Sequence, residues 1–177
     1  MNLEKLFKIQ AELDKRIIEK HGLQNEDLLD KKILALQVEL GELANEWRGF
    51  KFWSEDRELR TEIFITSPKP NEPLVVKKNP LLEEYVDCLH FILSIGLDSF
   101  EELTTFKHYQ PLKMRNVVDQ FGELFYYVSG LIGEEKYIKI VALFLGLGEM
   151  LGFTWEQIET AYLEKNKINH ERQESGY

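Results

Sequence analysis

The sequence predicts an all-α protein, a bundle of about six helices in a single domain that spans residues 1–177. Apolar residues recur three and four positions apart along most of the chain, which is the period of an amphipathic helix. The length of 177 residues suits one domain. The one long stretch without this period, 61–79, contains three prolines. We therefore expect one irregular insertion within a helical bundle.

The first helix is predicted at residues 3–21 and the second at 28–47. In the first, one glutamine shares the helical spacing of the apolar residues, which are Leu3, Leu6, Phe7, Leu13, Ile17 and Ile18. The insertion at 61–79 follows the second helix. Its segments EIFIT and PLVVK could form short extended pieces.

Four further helices are predicted after the insertion, at 80–97, 113–131, 135–151 and from about 154 to 173. Pro80 suits the first turn of its helix, where the missing N–H has no intrahelical partner to lose. Thr154 can cap the last helix, with Gln157 three residues on as its capping-box partner.

Composition excludes several classes of function. The net charge of −9 argues against binding duplex nucleic acid or an anionic membrane through overall charge. The apolar runs are shorter than the roughly 20 residues that a membrane span needs. The single cysteine, Cys88, excludes an internal disulfide and a cysteine-cluster zinc site. No signal peptide is visible, and we expect a cytoplasmic protein.

Two acidic pairs border the apolar stripes of successive helices. Glu39 and Glu42 are three residues apart in the second helix, as are Glu84 and Asp87 in the third. Like charges at this spacing destabilise a helix, and partial burial adds to that cost. One such pair alone is more often a solvated surface. Two pairs favour a site for a divalent cation, and ligation by oxygen alone suits magnesium or manganese.

The last helix carries a stripe of hydrogen-bond donors. Tyr162, Lys165, Asn169 and Arg172 fall within about 80° on one helical face. This stripe would suit phosphate oxygens, with Arg172 able to bind in a bidentate fashion. The alternative is a solvated, cation-rich helix end favoured by the helix dipole.

Gln10 lies on the buried side of the first helix, where its amide needs partners. Either the core satisfies it or a ligand does. A carboxamide offers a donor and an acceptor side by side, which matches the edge of a pyrimidine. Asp14, one turn further on, or a backbone group could fix the orientation of the amide. His90 we interpret as structural or as a group supporting the site.

The segment WRGFKFWS at 47–54 combines aromatic residues with two cations at a helix end. Its aromatic faces could stack a base. The alternative is an aromatic cluster that closes the core, which suits Trp47 and Phe50 at least as well.

These motifs resemble the signature of the all-α NTP pyrophosphatases, the group that contains MazG-like proteins and the dimeric dUTPases. The signature is ExxE at Glu39 and Glu42 followed by ExxD at Glu84 and Asp87. The start QAELD, from Gln10 to Asp14, and the segments FKFWS, DCLHF and KNKINHERQESGY are similar to the dimeric dUTPase branch. The resemblance covers nearly the whole chain except 61–79 and the middle of 99–112.

The resemblance implies a helical bundle that forms a homodimer and hydrolyses dUTP, and also dUDP, to dUMP with magnesium. By position, Glu39, Glu42, Glu84 and Asp87 would hold the metal ions. Glu42, or its partner Glu39, would orient or deprotonate the attacking water.

The resemblance also implies how a deoxyuridine nucleotide is held. Gln10 would read the uracil edge and Trp53 would line the base pocket. Phe91 would pack against the deoxyribose and disfavour a 2′-hydroxyl. The phosphates would be bound by Lys165, Asn169 and Arg172.

Three alternatives stay open at this point. A MazG-like or dCTP-type pyrophosphatase would share the metal chemistry but prefer another base. A di-iron carboxylate bundle would need two ExxH motifs, and only Asp87 to His90 comes near one. A helical dimerisation module would carry the same pattern without catalysis.

Overall fold

The computed structural model describes residues 3–66, 75–100 and 109–175, in which six helices and two short strands follow one another. The all-α fold class is confirmed. The helices are α1 (Leu3–His21), α2 (Leu29–Trp47), α3 (Pro80–Ser99), α4 (Val117–Ser129), α5 (Glu134–Met150) and α6 (Trp155–Ser175).

Helix α3 lies at the centre of the bundle and packs against α1, α2, α5 and α6. Two buried tyrosines fasten it to α5: Tyr85 donates its hydroxyl to the carbonyl of Phe144 (3.0 Å), and Tyr137 donates to the carbonyl of Ile92 (2.9 Å). At Gly96 a Cβ atom would overlap the Tyr137 hydroxyl, so the close approach of these two helices requires glycine there. Helix α3, which carries two of the acidic residues, is therefore held in place by close packing against α5.

Helix ends follow the local capping signals. The Asn79 side chain accepts the Leu82 N–H (3.0 Å), and Pro80 is the first residue of α3 as predicted. Thr154 and Gln157 form the predicted capping box, with the Thr154 N–H donating to Gln157 Oε1 (2.8 Å) and the Gln157 N–H to Thr154 Oγ1 (3.3 Å).

The fourth helix starts later than the predicted residue 113. Asn116 has extended backbone, and its side chain accepts the Asp119 N–H (2.8 Å), so it acts as the N-cap and the helix begins at Val117. The helical spacing in the sequence extends back through 113–116, but the N-cap at Asn116 sets the first helical residue at Val117.

The predicted extended pieces of the insertion are confirmed as strands. β1 (Ile63–Thr66) and β2 (Val75–Lys78) pair antiparallel, with Ile63 opposite Lys78. Residues 67–74 lie outside the described part of the chain. The Arg60 N–H donates to the carbonyl of Glu46 (3.2 Å) and the Leu81 N–H to the carbonyl of Arg60 (3.1 Å), which ties the chain near the strands to the end of α2 and the start of α3.

Among the described helices, none is by itself long and apolar enough to cross a membrane, although α5 and α6, bent by 110° at their junction, pass that test of length and composition together.

Candidate active site

The acidic pairs of α2 and α3 meet across the contact between these helices. Glu39, Glu42 and Glu84 each place a carboxylate oxygen within 4.8 Å of the others. Glu42 is exposed, whereas Glu39 and Glu84 are half-buried. We call these three residues the acidic cluster. The spacing of three along each helix turns the carboxylates toward the shared face, because residues three apart are neighbours on a helix.

The acidic cluster holds more negative charge than its surroundings compensate. Burial, followed by the charges of Asp87 and Glu42, raises the pKa of Glu39 to about 7. Burial, Asp87 and Glu42 likewise raise the pKa of Glu84 to about 7. Lys165 opposes both shifts but does not cancel them. The three carboxylates together form a negatively charged group that a divalent cation would neutralise.

Asp87, the fourth predicted metal ligand, is engaged with a cation from α6. Lys165 Nζ lies 2.6 Å from Asp87 Oδ2 and 3.1 Å from Glu83 Oε1. Burial lowers the pKa of the Lys165 ammonium, but the hydrogen bond to Asp87 and the charges of Asp87 and Glu83 outweigh it and the net shift is upward. Lys165 therefore keeps its positive charge and forms an ion pair with Asp87.

A cavity of about 310 Å³ lies beside the acidic cluster and is lined by residues of α1, α2, α3 and α6. Most of the residues that the sequence predicts to bind substrate or metal line it. They are Gln10, Glu39, Asp87, Phe91, Lys165, Asn169 and Arg172. The wall combines charged side chains, among them Glu39, Asp87, Lys165 and Arg172, with apolar side chains such as Leu13, Ile17 and Leu28.

Gln10 has hydrogen-bond partners in the core, as the first of the two alternatives expects, and its contact with a ligand stays a prediction. Its Nε2 donates to Asp14 Oδ1 (2.7 Å), so Asp14 contacts the amide as expected. Its Oε1 accepts the Tyr162 hydroxyl (2.7 Å) and lies 2.7 Å from His90 Nδ1. Gln10 as a residue is 3% exposed, so these bonds form almost out of contact with bulk water.

His90 contacts Gln10 through this bond, which is compatible with both interpretations of the residue, a structural group or a group supporting the site. Because a carbonyl oxygen only accepts, His90 must carry its proton on Nδ1. Burial lowers the pKa of His90 to about 3, and the nearby Lys165 adds to this, so the ring is neutral at physiological pH. The ring stacks on Tyr162 with centroids 4.2 Å apart.

Trp53 lies outside the cavity of the single chain. It is 65% exposed and packs edge-on against Phe50 and Phe52, with centroids 5.7 and 5.0 Å apart. Trp47 instead packs on Phe121 and closes the core, as the alternative for that residue expects. A base-stacking role for Trp53 stays a prediction.

Sequence reasoning misses two polar residues of the cavity wall, Lys32 and Ser94. Ser94 donates to Asp14 Oδ2 (2.6 Å), and Lys32 Nζ lies 3.9 Å from the same oxygen and is paired with Asp98. Ser94 lies one turn beyond His90 on α3, which is a weak signal. Nothing in the sequence around Lys32 indicates its position.

The donor set fits a hard divalent ion. The acidic cluster offers carboxylate oxygens alone, and hard cations such as magnesium prefer oxygen ligands. The pKa values of Glu39 and Glu84 are raised to about 7 by burial and by the negative charges of neighbouring carboxylates, and such an ion would neutralise those charges. The described part of the structure thus holds an acidic group that could bind a metal ion.

A helical bundle with paired carboxylates on two packed helices is the arrangement of the all-α nucleoside triphosphate pyrophosphohydrolases. A family model described as dUTPase matches residues 2–66 and 71–177. The chain therefore belongs to the dUTPase family, in its all-α form, and the family activity is that of a dUTP diphosphatase. A comparison with curated proteins finds no match.

Proposed function

We propose that this enzyme is a magnesium-dependent dUTP diphosphatase that hydrolyses dUTP, and also dUDP, to dUMP. The observation that carries the proposal is the acidic cluster beside a cavity that also contains Lys165 and Arg172, in a chain of the dUTPase family. Manganese, which accepts the same oxygen ligands, is the expected substitute for magnesium.

Glu39, Glu42, Glu84 and Asp87 are the proposed metal ligands. When bound, magnesium supplies positive charge against the phosphates and lowers the pKa of water. Glu42 is the most exposed member of the acidic cluster. We assign to it, with Glu39 in support, the orientation of the attacking water and the removal of its proton.

Lys165, Asn169 and Arg172 are the proposed phosphate ligands. All three line the cavity from α6. Lys165 lies against Asp87, so a phosphate chain held by ions at the carboxylates would come within its reach. The two cations would stabilise the negative charge that develops on the leaving pyrophosphate.

Gln10 and Phe91 are the proposed contacts for the nucleoside. Both side chains line the cavity, and Phe91 lies one turn beyond Asp87 on α3. Phe91 would pack on the deoxyribose and disfavour a 2′-hydroxyl. Trp53 would have to approach the base from outside the cavity of this chain.

The test is product formation from a panel of nucleotides, with and without magnesium. We expect dUTP to give dUMP and pyrophosphate, dUDP to give dUMP and phosphate, and EDTA to stop both reactions. UTP, dCTP and dTTP should react with lower kcat/KM. A preference for dCTP would instead favour the related pyrophosphatase with another base, and no turnover of any nucleotide would contradict the proposal.

We also propose that the chain, as one domain over 1–177, works as a homodimer in the cytoplasm. Helices α2 and α4 pack together and expose large apolar side chains, namely Leu34, Val38, Val118 and Tyr126. Such side chains are common where a second subunit covers them. The buried free Cys88 is compatible with a reducing compartment. Light scattering should give twice the mass of one chain.

A further inference from the structure

The Lys165 side chain belongs to the walls of two cavities. The first is the cavity described above, whose wall also includes Asp87. The second, also about 310 Å³, is lined by residues of β2, α3 and α6, among them Lys78, Glu83 and Glu164. Lys165 therefore lies where the candidate active site borders a second open space.

Two carboxylates of α3 share the Lys165 ammonium group. Lys165 Nζ donates to Asp87 Oδ2 (2.6 Å) and to Glu83 Oε1 (3.1 Å). The two acids are four residues apart, so they are neighbours on one face of their helix. Asp87 lines the first cavity and Glu83 lines the second. The lysine is thus bonded to one carboxylate in each cavity wall.

The two carboxylates have different surroundings. The Asp87 side chain is 17% exposed, and Asp87 is a proposed metal ligand. The Glu83 side chain is 38% exposed, and its other oxygen lies 3.8 Å from Lys78 Nζ on strand β2. Glu83 is therefore a carboxylate with cations near both of its oxygens, whereas Asp87 has to serve a lysine and a metal ion.

A metal ion at Asp87 would deprive Lys165 of its shorter hydrogen bond. Two positive charges at one carboxylate repel each other, and the charge of the carboxylate is divided between them. The Lys165 side chain is 12% exposed, and a cation in so buried a position is costly without a partner. Glu83, already 3.1 Å away, is the acceptor that stays available.

We propose that Glu83 is a positioning residue that takes over Lys165 when Asp87 binds the metal ion. The ammonium group then keeps its charge and its place beside the phosphates. The inference rests on the proposed function, because it assumes the metal ligands assigned there. It gives a role to a residue outside the acidic cluster, which acts through Lys165 and touches neither metal nor substrate.

The first experiment measures the magnesium affinity of nucleotide-free Glu83→Gln by calorimetry. We expect it to be roughly tenfold weaker than that of wild type, because a metal ion at Asp87 would leave the Lys165 ammonium without a carboxylate in a largely buried position. An affinity equal to that of wild type would contradict the inference.

Glu164→Gln is the matched control for this experiment. Glu164 precedes Lys165 on α6, is exposed and lines the second cavity, so its variant loses the same charge in the same region. Its magnesium affinity should differ from that of wild type by no more than about twofold, since water and salt screen an exposed charge. An equal loss of affinity in both variants would show that charge alone acts, and the inference would then be wrong.

The second experiment repeats the titration in the Lys165→Met background. Because Glu83 acts through the lysine, adding Glu83→Gln to Lys165→Met should leave the magnesium affinity at the value of Lys165→Met. A loss as large as in the wild-type background would show that Glu83 acts on the metal ion directly, which would overturn the inference.

The third experiment uses the unmodified protein, so it does not depend on the folding of a variant. In crystals of wild type grown with magnesium, we expect Lys165 Nζ to lie beyond hydrogen-bond distance of Asp87 and within it of Glu83. A lysine that stays on Asp87, or that leaves both carboxylates, contradicts the inference.

The outcomes separate the inference from the function on which it rests. A wild-type protein that binds no magnesium contradicts the proposed metal site and the inference together. A wild-type protein that binds magnesium and hydrolyses dUTP, with Glu83→Gln equal to it in magnesium affinity, contradicts the inference alone.

Discussion

Glu39 and Glu84 are carboxyl groups that titrate near neutral pH, because burial and neighbouring carboxylates raise the pKa of each to about 7. In an unfolded chain the same groups lose their protons near pH 4.5. Between these values the folded state binds more protons than the unfolded state, so these two groups make stability fall as pH rises from about 4.5 to about 7. Above that pH their contribution is constant.

A pH series on metal-free protein tests these raised pKa values. His90 acts in the opposite direction below its ordinary pKa of 6.5, because burial lowers its pKa to about 3 and it is neutral in the fold. The double variant Glu39→Gln, Glu84→Gln removes the two carboxyls and leaves His90. In EDTA, we expect the Tm of the variant relative to wild type to be higher at pH 8 than at pH 5. A difference that does not vary with pH would contradict the two shifts.

Glu42 is the residue on which catalysis should depend most directly. We expect Glu42→Gln to abolish dUTP hydrolysis, because an amide can neither take a proton from water nor complete an ionised metal site. The metal-free Tm should hold or rise, since the substitution removes a like charge from Glu39 and Glu84. Steady-state assays and melting curves in EDTA measure both effects. Near wild-type turnover would refute the role of Glu42.

At the scale of elements, the charged side chains of the candidate site come from three different helices. Helices α2 and α3 supply the carboxylates, and α6 supplies Lys165 against Asp87. Ion pairs also join α1 and α6 near both ends of the two helices. Arg16 pairs with Glu174 (3.0 Å) near the C-terminal ends, and Lys5 pairs with Glu159 (2.5 Å) near the N-terminal ends. These surface pairs contribute little energy each, but they keep α6 aligned along α1 and hence Lys165 over the acidic residues.

Lys165 and a metal ion compete for Asp87, so removing the lysine should strengthen metal binding. In Lys165→Met we expect the nucleotide-free protein to bind magnesium more tightly than wild type, and to bind pyrophosphate more weakly. Lys167→Met is the matched control, since Lys167 is exposed on the same helix and pairs only loosely with Glu171 (3.9 Å). Calorimetric titration with magnesium, then with pyrophosphate, measures both affinities.

The metal-free Tm of Lys165→Met should also fall, because Asp87 loses its partner in a largely buried position. Magnesium should restore part of that loss. Unchanged or weaker magnesium affinity in Lys165→Met, with Lys167→Met equal to wild type, would show that the lysine and the metal do not compete.

At the scale of the whole molecule, an ion held between α2 and α3 binds the folded chain only and should stabilise all of it. A ligand at a hundred times its Kd adds about 2.7 kcal/mol to the free energy of unfolding. We therefore expect a higher Tm in millimolar magnesium than in EDTA, with a further rise on adding dUMP. Equal midpoints in EDTA and in magnesium, with dUMP present in both, would contradict a metal site in this cluster.

The sequence by itself determined the helical fold, most helix ends and the pairing of carboxylates on α2 and α3. These features depend on contacts within a few residues: the helical period, the caps at Asn79 and Thr154, and spacings of three. Such local hydrogen bonds can be read directly from residue order. Where two local signals disagreed, as at the start of α4, the cap at Asn116 prevailed over the apolar spacing.

Only the tertiary structure decided which polar groups satisfy one another. Gln10 meets His90 and Tyr162, which are 80 and 152 residues away in the chain, and Asp14 meets Ser94, 80 residues away. Glu83, on α3, is likewise a partner of Lys165 on α6. These bonds form because buried polar groups must find partners wherever packing brings one close. The direction in which the Gln10 amide faces therefore depends on how α1, α3 and α6 pack together.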